Sequence, residues 1–407
     1  MKTRMLFSLL IATLLVLTGW EAQAQSFVKK VNCTKGQTIT RALQGLDFIP
    51  ITIQVKGTCN ENVEIVRDDI TLIADPLGGR VVGPDPNLPT INIRAWRTVI
   101  DGLTISGGRI GIAVGGGATI QNCTVQNASA PGISFYHGGK GTVDNCVVQN
   151  NLGHGIYIEG GSATVINSTI SSNTNAGISV GVGGSSRIGV TDRNQYAGNT
   201  ISNNQGSGIL ISHSGSAHIG GNTISGNGTN PNSLFGFFGV LISSASANLV
   251  GNNTITGNSG CGVYVERSGV RIGNPSFGLP MTGAFANVIT GNGATLLPNG
   301  GIFGSQGASL QIEGTTINGN TGNGINLQLR STARIYNDTV SNNTANGIFL
   351  GQGAALLLQD PAVTVTGNAL FGLECGGNES SFSGNTGGFS GNGNPVNPRV
   401  SPNCTGF

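Results

Sequence analysis

Tyr264, Glu266, Arg267 and Arg271 fall within eight positions, and Asp192, Arg193 and His213 lie upstream of them. An Arg or Tyr poised beside a second Arg can abstract a proton α to a carboxylate while the second guanidinium neutralises that carboxylate. Surface ion pairing accounts for the same residue types without any chemistry. The four histidines, His137, His154, His213 and His218, show no metal-ligand spacing, so no metal centre is expected. A second set of residues suits binding rather than reaction: Tyr157, Tyr264, Phe303 and Phe349, each two positions after a glycine, in a chain with only 5% aromatics. A third set is hydroxylic: Thr200, Ser202, Thr223, Ser225, Thr254 and Thr256 recur in pairs within a repeated phrase of the form Asn-Thr-Ile-Ser.

What positions these side chains is a repeat. A Gly-Ile/Val/Leu-x-apolar phrase occurs eleven times, its first apolar residue at 112, 133, 156, 178, 209, 240, 263, 302, 325, 348 and 373. The base period is near 22 or 23, interrupted by units of 31, 31 and 39 residues. Each unit carries three short pieces with period-two alternation and Gly or Asn corners, which read as strands. A unit this short cannot bury its own apolar face, so successive turns must stack in parallel about 4.8 Å apart. Eleven turns then span about 53 Å. The pattern resembles the right-handed parallel β-helix proteins of the pectin-lyase-like superfamily over about residues 50–375. That resemblance implies an all-β solenoid and leaves activity open, because the superfamily includes lyases, hydrolases, epimerases and non-catalytic repeats.

The register of the repeat bears on catalysis. Glycoside hydrolysis needs two carboxyl groups about 5 Å or about 6.5–9.5 Å apart. Glu159 and Glu266 share a column, but four turns separate them, about 19 Å at the strand spacing. Gly153-His154-Gly155 matches a motif of polygalacturonase-type hydrolases, without the upstream acidic elements those enzymes carry. The superfamily's Ca²⁺-dependent lyases hold their metal in an acidic cluster, and no such cluster is visible here; Ca²⁺ enters only under a lyase reading, and no other cofactor is expected. One buried column, Asn199, Asn222, Asn253 and Asn287, reads as a structural amide ladder. The longer units place insertions at 185–198, 228–238, 273–286 and 293–300, flanking the hydroxyl-bearing strand, where loops on a rigid scaffold could wall a groove.

Lys2 and Arg4, an apolar run from Met5 to about Leu17, and Ala22-Gln23-Ala24 have the form of a secretory signal with cleavage after Ala24. The organisation expected is a signal peptide (1–24), an N-terminal cap (25–60), β-helix repeats (61–375) and a Gly/Asn/Ser-rich cap or tail (376–407). Helical spacing of Ile39, Ala42, Leu43 and Leu46 suggests a short amphipathic helix covering the first turn. Cys33 with Cys59, and Cys375 with Cys404, are the expected disulfides, fitting export to a periplasmic or extracellular compartment. Cys123 and Cys146 stack in one column and could be a disulfide or paired thiols, and Cys261 is left over.

Composition narrows the partners. Charged residues are 9% of the chain, the net charge is +2, and Lys140 is the only lysine after position 56. No basic face exists for nucleic acid, and no later apolar run reaches the length of a membrane anchor. The sequence therefore suggests a secreted or periplasmic monomer with a polysaccharide partner, bound or presented without catalysis. A uronan lyase or epimerase, and a structural or adhesion module, are the alternatives.

Overall fold

A computed structural model describes residues 27–44, 50–192, 195–273, 286–293, 297–359, 363–377, 379–393, 400–401 and 403–406. The signal-like segment, its cleavage position, Leu46 and Arg193 lie outside these. The chain winds as a right-handed parallel β-solenoid with three faces. One turn illustrates it: Ser162–Ile166 lies on face 1, Thr169–Ser171 on face 2 and Ile178–Gly181 on face 3. Each pairs in parallel with its equivalent one turn on. Among the described residues, faces 1 and 2 join into one 28-stranded sheet because Ile51–Asn60 and Ile70–Gly83 run through the corner between them. Face 3 is a separate sheet of thirteen strands among the described residues. Eleven of these carry the glycine phrase; Val63–Ile65 and Ile91–Ile93 lack it and extend the solenoid at its N-terminal end.

Alternation decides which side chains fill the interior. The face-2 strands here bury their central residue, so Ile170, Ile201, Ile224, Ile255, Ile289 and Ile317 form an unbroken, solvent-free column. Fully burying such a side chain is worth about 1.5–3 kcal/mol. The column Asn199, Asn222, Asn253 and Asn287 is buried as expected, each Nδ2 donating to the next Oδ1 at 2.9–3.1 Å. A longer ladder lies at the corner between faces 2 and 3. It runs through Asn151, Asn173, Asn204, Asn227, Asn258, Asn292, Asn320, Asn343, Asn368 and Asn392. This ladder explains the glycine that opens most of the face-3 phrases. A Cβ on Gly177 would sit 2.8 Å from Asn204 Nδ2 and 2.7 Å from Ile201 Cγ2, so any larger residue would displace the ladder.

The ends differ from expectation in one respect. The expected amphipathic helix is a single α-turn, Ile39–Ala42, after a 3₁₀ turn at Cys33–Lys35. Helix nucleation is costly, and one turn survives only with outside help. Glu61 supplies it, its carboxylate accepting from Ile39 N at 2.7 Å and Thr40 N at 3.0 Å. Most of the first turn's edge is instead paired with a strand, Phe27–Asn32, laid in register on Ile51–Lys56. Disulfides Cys33–Cys59 and Cys375–Cys404 tie the two ends, while Cys123, Cys146 and Cys261 are buried free thiols. Strand pairing continues past residue 376, with Ser381–Gly384 and Phe389–Ser390 added to faces 1 and 2. Among the described residues, no helix is long and apolar enough to cross a membrane.

Candidate functional site

Face 3 presents two outward columns. The first runs Tyr157, Ser179, Leu210, Leu241, Tyr264, Phe303. The second runs Glu159, Gly181, Ser212, Ser243, Glu266, Ser305. Register thus keeps Glu159 and Glu266 four turns apart. The insertion after the face-2 strand Thr223–Ser225 folds over these columns. Phe238 is buried and stacks on Tyr264 at 4.6 Å between centroids, and Tyr264 in turn stacks on Phe303 at 5.4 Å. Phe235 meets His154 edge-on at 4.6 Å, and His154 stacks on Tyr157 at 5.3 Å. The aromatic residues therefore spend much of their ring surface on one another, fastening the insertion to the solenoid. Phe349, further along the same column, is half-buried against Gly351 and Gly376.

Between the insertion and the sheet lies a cleft of about 330 Å³. Its floor is Ser179, Leu210 and Leu241; Tyr157, His154, Leu234 and Phe235 form one side, and Ser212, His213, Ser243 and Glu266 another. Among the described residues, Glu266 is the only carboxylate on its walls. Burial opposes its ionisation, but Ser243 Oγ and the Arg267 guanidinium, 3.0 Å away, outweigh this and hold the carboxyl below its ordinary range. Tyr264 Oη and Gln306 Nε2 approach Glu266 Oε2 only at 3.4 Å. Burial, with the neighbouring Glu266 carboxylate, pushes the Tyr264 phenol up to about 12. Burial drives His154 down to about 4. At neutral pH the cleft thus holds an ionised Glu266, a protonated phenol beside it and an uncharged His154. A phenol with a raised pKa is a poor proton abstractor.

The other sequence-derived candidates are dispersed. Arg271 lies on face 1, within Gly269–Gly273, and pairs with Glu313 at 3.5 Å. Asp192 ends the strand Val190–Asp192 of a hairpin. That hairpin leans on the corner at Gly220, where a Cβ would meet the Tyr196 ring at 2.5 Å, and Val190 walls a face-1 groove with Arg187 and His218. The hydroxyl set stands apart as well: Thr200, Thr223 and Thr254 are in register on face 2, as are Ser202, Ser225 and Thr256. The described parts of the insertions fold onto faces 1 and 3, away from this stripe. Sequence reasoning missed the inclusion of His154 in the cleft and the long asparagine ladder. The His154 motif was visible, but its neighbours come from an insertion about 80 residues on.

A family model described as a right handed beta helix region matches residues 89–236 and 238–386. The chain belongs to this right-handed β-helix family. Among solved structures, the chain is similar to the A-module of the Azotobacter vinelandii mannuronan C-5 epimerase AlgE6, 14% identical with a TM-score of 0.46, covering 85% of this chain and 93% of that one. Pectate lyase Pel9A is also 14% identical, with a TM-score of 0.40 over 72% and 79% of the two chains. PfbA, a surface adhesin of Streptococcus pneumoniae, is 14% identical, with a TM-score of 0.34 over 87% and 92%. No curated protein matches the sequence at a significant level. The family match establishes the β-helix and nothing finer.

Proposed function

We propose that this β-helix protein works outside the cytoplasm, holding a polysaccharide in the face-3 cleft without turning it over. The observation that carries the reading is the state of Glu266. Among the described residues it is the single carboxylate lining the cleft, ionised and committed to Ser243 and Arg267, with no second one beside it to complete a hydrolytic pair. Tyr264 beside it is a protonated phenol, packed between Phe238 and Phe303, which suits hydrogen bonding rather than proton abstraction. Leu210, Leu241 and the Tyr157 ring supply an apolar floor and edge, and Ser179, Ser212 and Ser243 supply hydroxyls, the mixture that sugar rings require. The two disulfides and the signal-like N-terminus agree with an oxidising compartment.

Tyr157→Ala together with Leu241→Ala should lower glycan retention at least tenfold in affinity electrophoresis, while Thr223→Ala with Thr254→Ala on face 2 should leave it unchanged. The reverse pattern would move the binding surface to the hydroxyl stripe.

A further inference from the structure

The cleft has a chemical preference that its lining makes specific, and this inference rests on the binding reading above. We infer that the face-3 cleft selects an uncharged, hydroxyl-rich glycan segment and disfavours a uronate.

Three observations carry it. First, among the described residues the only acidic group on the walls is Glu266, ionised because Ser243 and Arg267 stabilise its charged form. Its Oε1 is taken by those two donors, whereas Oε2 has only the long 3.4 Å approaches of Tyr264 and Gln306. Oε2 therefore retains acceptor capacity, which a sugar hydroxyl can fill and a carboxylate cannot, since an ionised carboxylate carries no proton to donate. Second, the cation nearest to it is already committed. Arg267 is bound to Glu266, mostly exposed, and not part of the cleft lining. His154 is uncharged at neutral pH, and the other titratable side chains around Glu266 among the described residues are the Tyr264 phenol, 3.4 Å from Oε2, and the cleft-lining Tyr157 phenol and His213, the latter 3.1 Å from Ser212 Oγ. Third, the mouth is apolar. Val182 and Leu234 are 55% and 93% exposed, and Val182 holds a left-handed backbone, φ 47°, that a β-branched residue adopts only under strain. Exposed apolar side chains at the rim of a cleft with a largely apolar floor and hydroxyl-bearing walls suit the C–H face of a neutral sugar ring and offer nothing to a carboxylate.

The test compares wild-type protein with cello- and manno-oligosaccharides and with oligogalacturonate of equal length, by titration calorimetry at pH 8. The expected result is at least tenfold tighter binding of a neutral oligosaccharide. Glu266→Gln, which keeps the shape but removes the charge and frees Arg267, should narrow the gap by raising uronate affinity about tenfold. Tighter binding of oligogalacturonate by the wild type would overturn this inference while leaving polysaccharide binding intact. Binding of neither class would overturn both readings. The wild-type comparison decides the matter even if the variant does not fold.

Discussion

His154 is an uncharged imidazole at neutral pH because Tyr157 and Phe235 close over it and its Nδ1 is buried without a hydrogen-bond partner. Its pKa, down at about 4 from an ordinary 6.5, makes it a stability determinant. Between pH 6.5 and 4 the unfolded chain takes up a proton that the folded chain refuses, so stability is complete above pH 6.5 and is lost as pH falls towards 4. The loss approaches about 3 kcal/mol. His154→Gln should remove that component: in urea denaturation, the wild type should lose more stability between pH 7 and pH 4.5 than the variant does. Equal losses would place the pH dependence elsewhere. At this scale, residue types were easier to read than their company. Glu266, Tyr264 and Arg267 are adjacent in sequence and stay together, but Arg271, only four residues further on, turns the corner onto face 1 and pairs with Glu313. Sequence proximity in a solenoid ends at each corner.

The asparagine ladder is an element that spans the turns rather than lying within one. Asn227 shows how it works: Nδ2 donates to Ile201 O and Asn258 Oδ1 at 3.0 Å, and Oδ1 accepts from Asn204 N and Nδ2 at 3.1 and 2.9 Å. Asn227→Ala would strand donors and a carbonyl in a solvent-free corner, each an uncompensated buried polar group costing about 1–3 kcal/mol. A loss of about 2–5 kcal/mol in denaturant unfolding is expected, with the same substitution at Asn248, exposed on an ordinary strand of face 1, costing under about 0.5 kcal/mol. A neutral effect at Asn227 would mean that the ladder is decorative. The shorter ladder was legible because its asparagines open the Asn-Thr-Ile-Ser phrase. The longer one was not, because single asparagines among Gly and Ser corners look like turn residues. The N-terminal helix misled for a related reason: four apolar positions at helical spacing satisfy the pattern, yet too few residues follow to propagate a helix, and a parallel strand covers the edge instead.

At the scale of the whole molecule, the fold was legible almost completely, since a period of 22 or 23 with three alternating pieces has one stable solution: turns stacked in parallel. The site was legible only in part. The period says where insertions break the repeat but not which way they fold, and the described insertions lie over faces 1 and 3, leaving the hydroxyl stripe of face 2 flat. The aromatic column that looked like an open sugar platform is largely the fastening for one insertion, and the cleft beside it is what remains accessible. Binding without turnover is the central claim, and one measurement tests it most directly. Mature protein, with and without Ca²⁺, is incubated on a panel of neutral and uronate polysaccharides, following retention, new reducing ends, unsaturated-product absorbance and C-5 configuration together. The account expects retention, unaffected by Ca²⁺, with no change in the polysaccharide; any chain cleavage, unsaturated product or epimerised residue would contradict it.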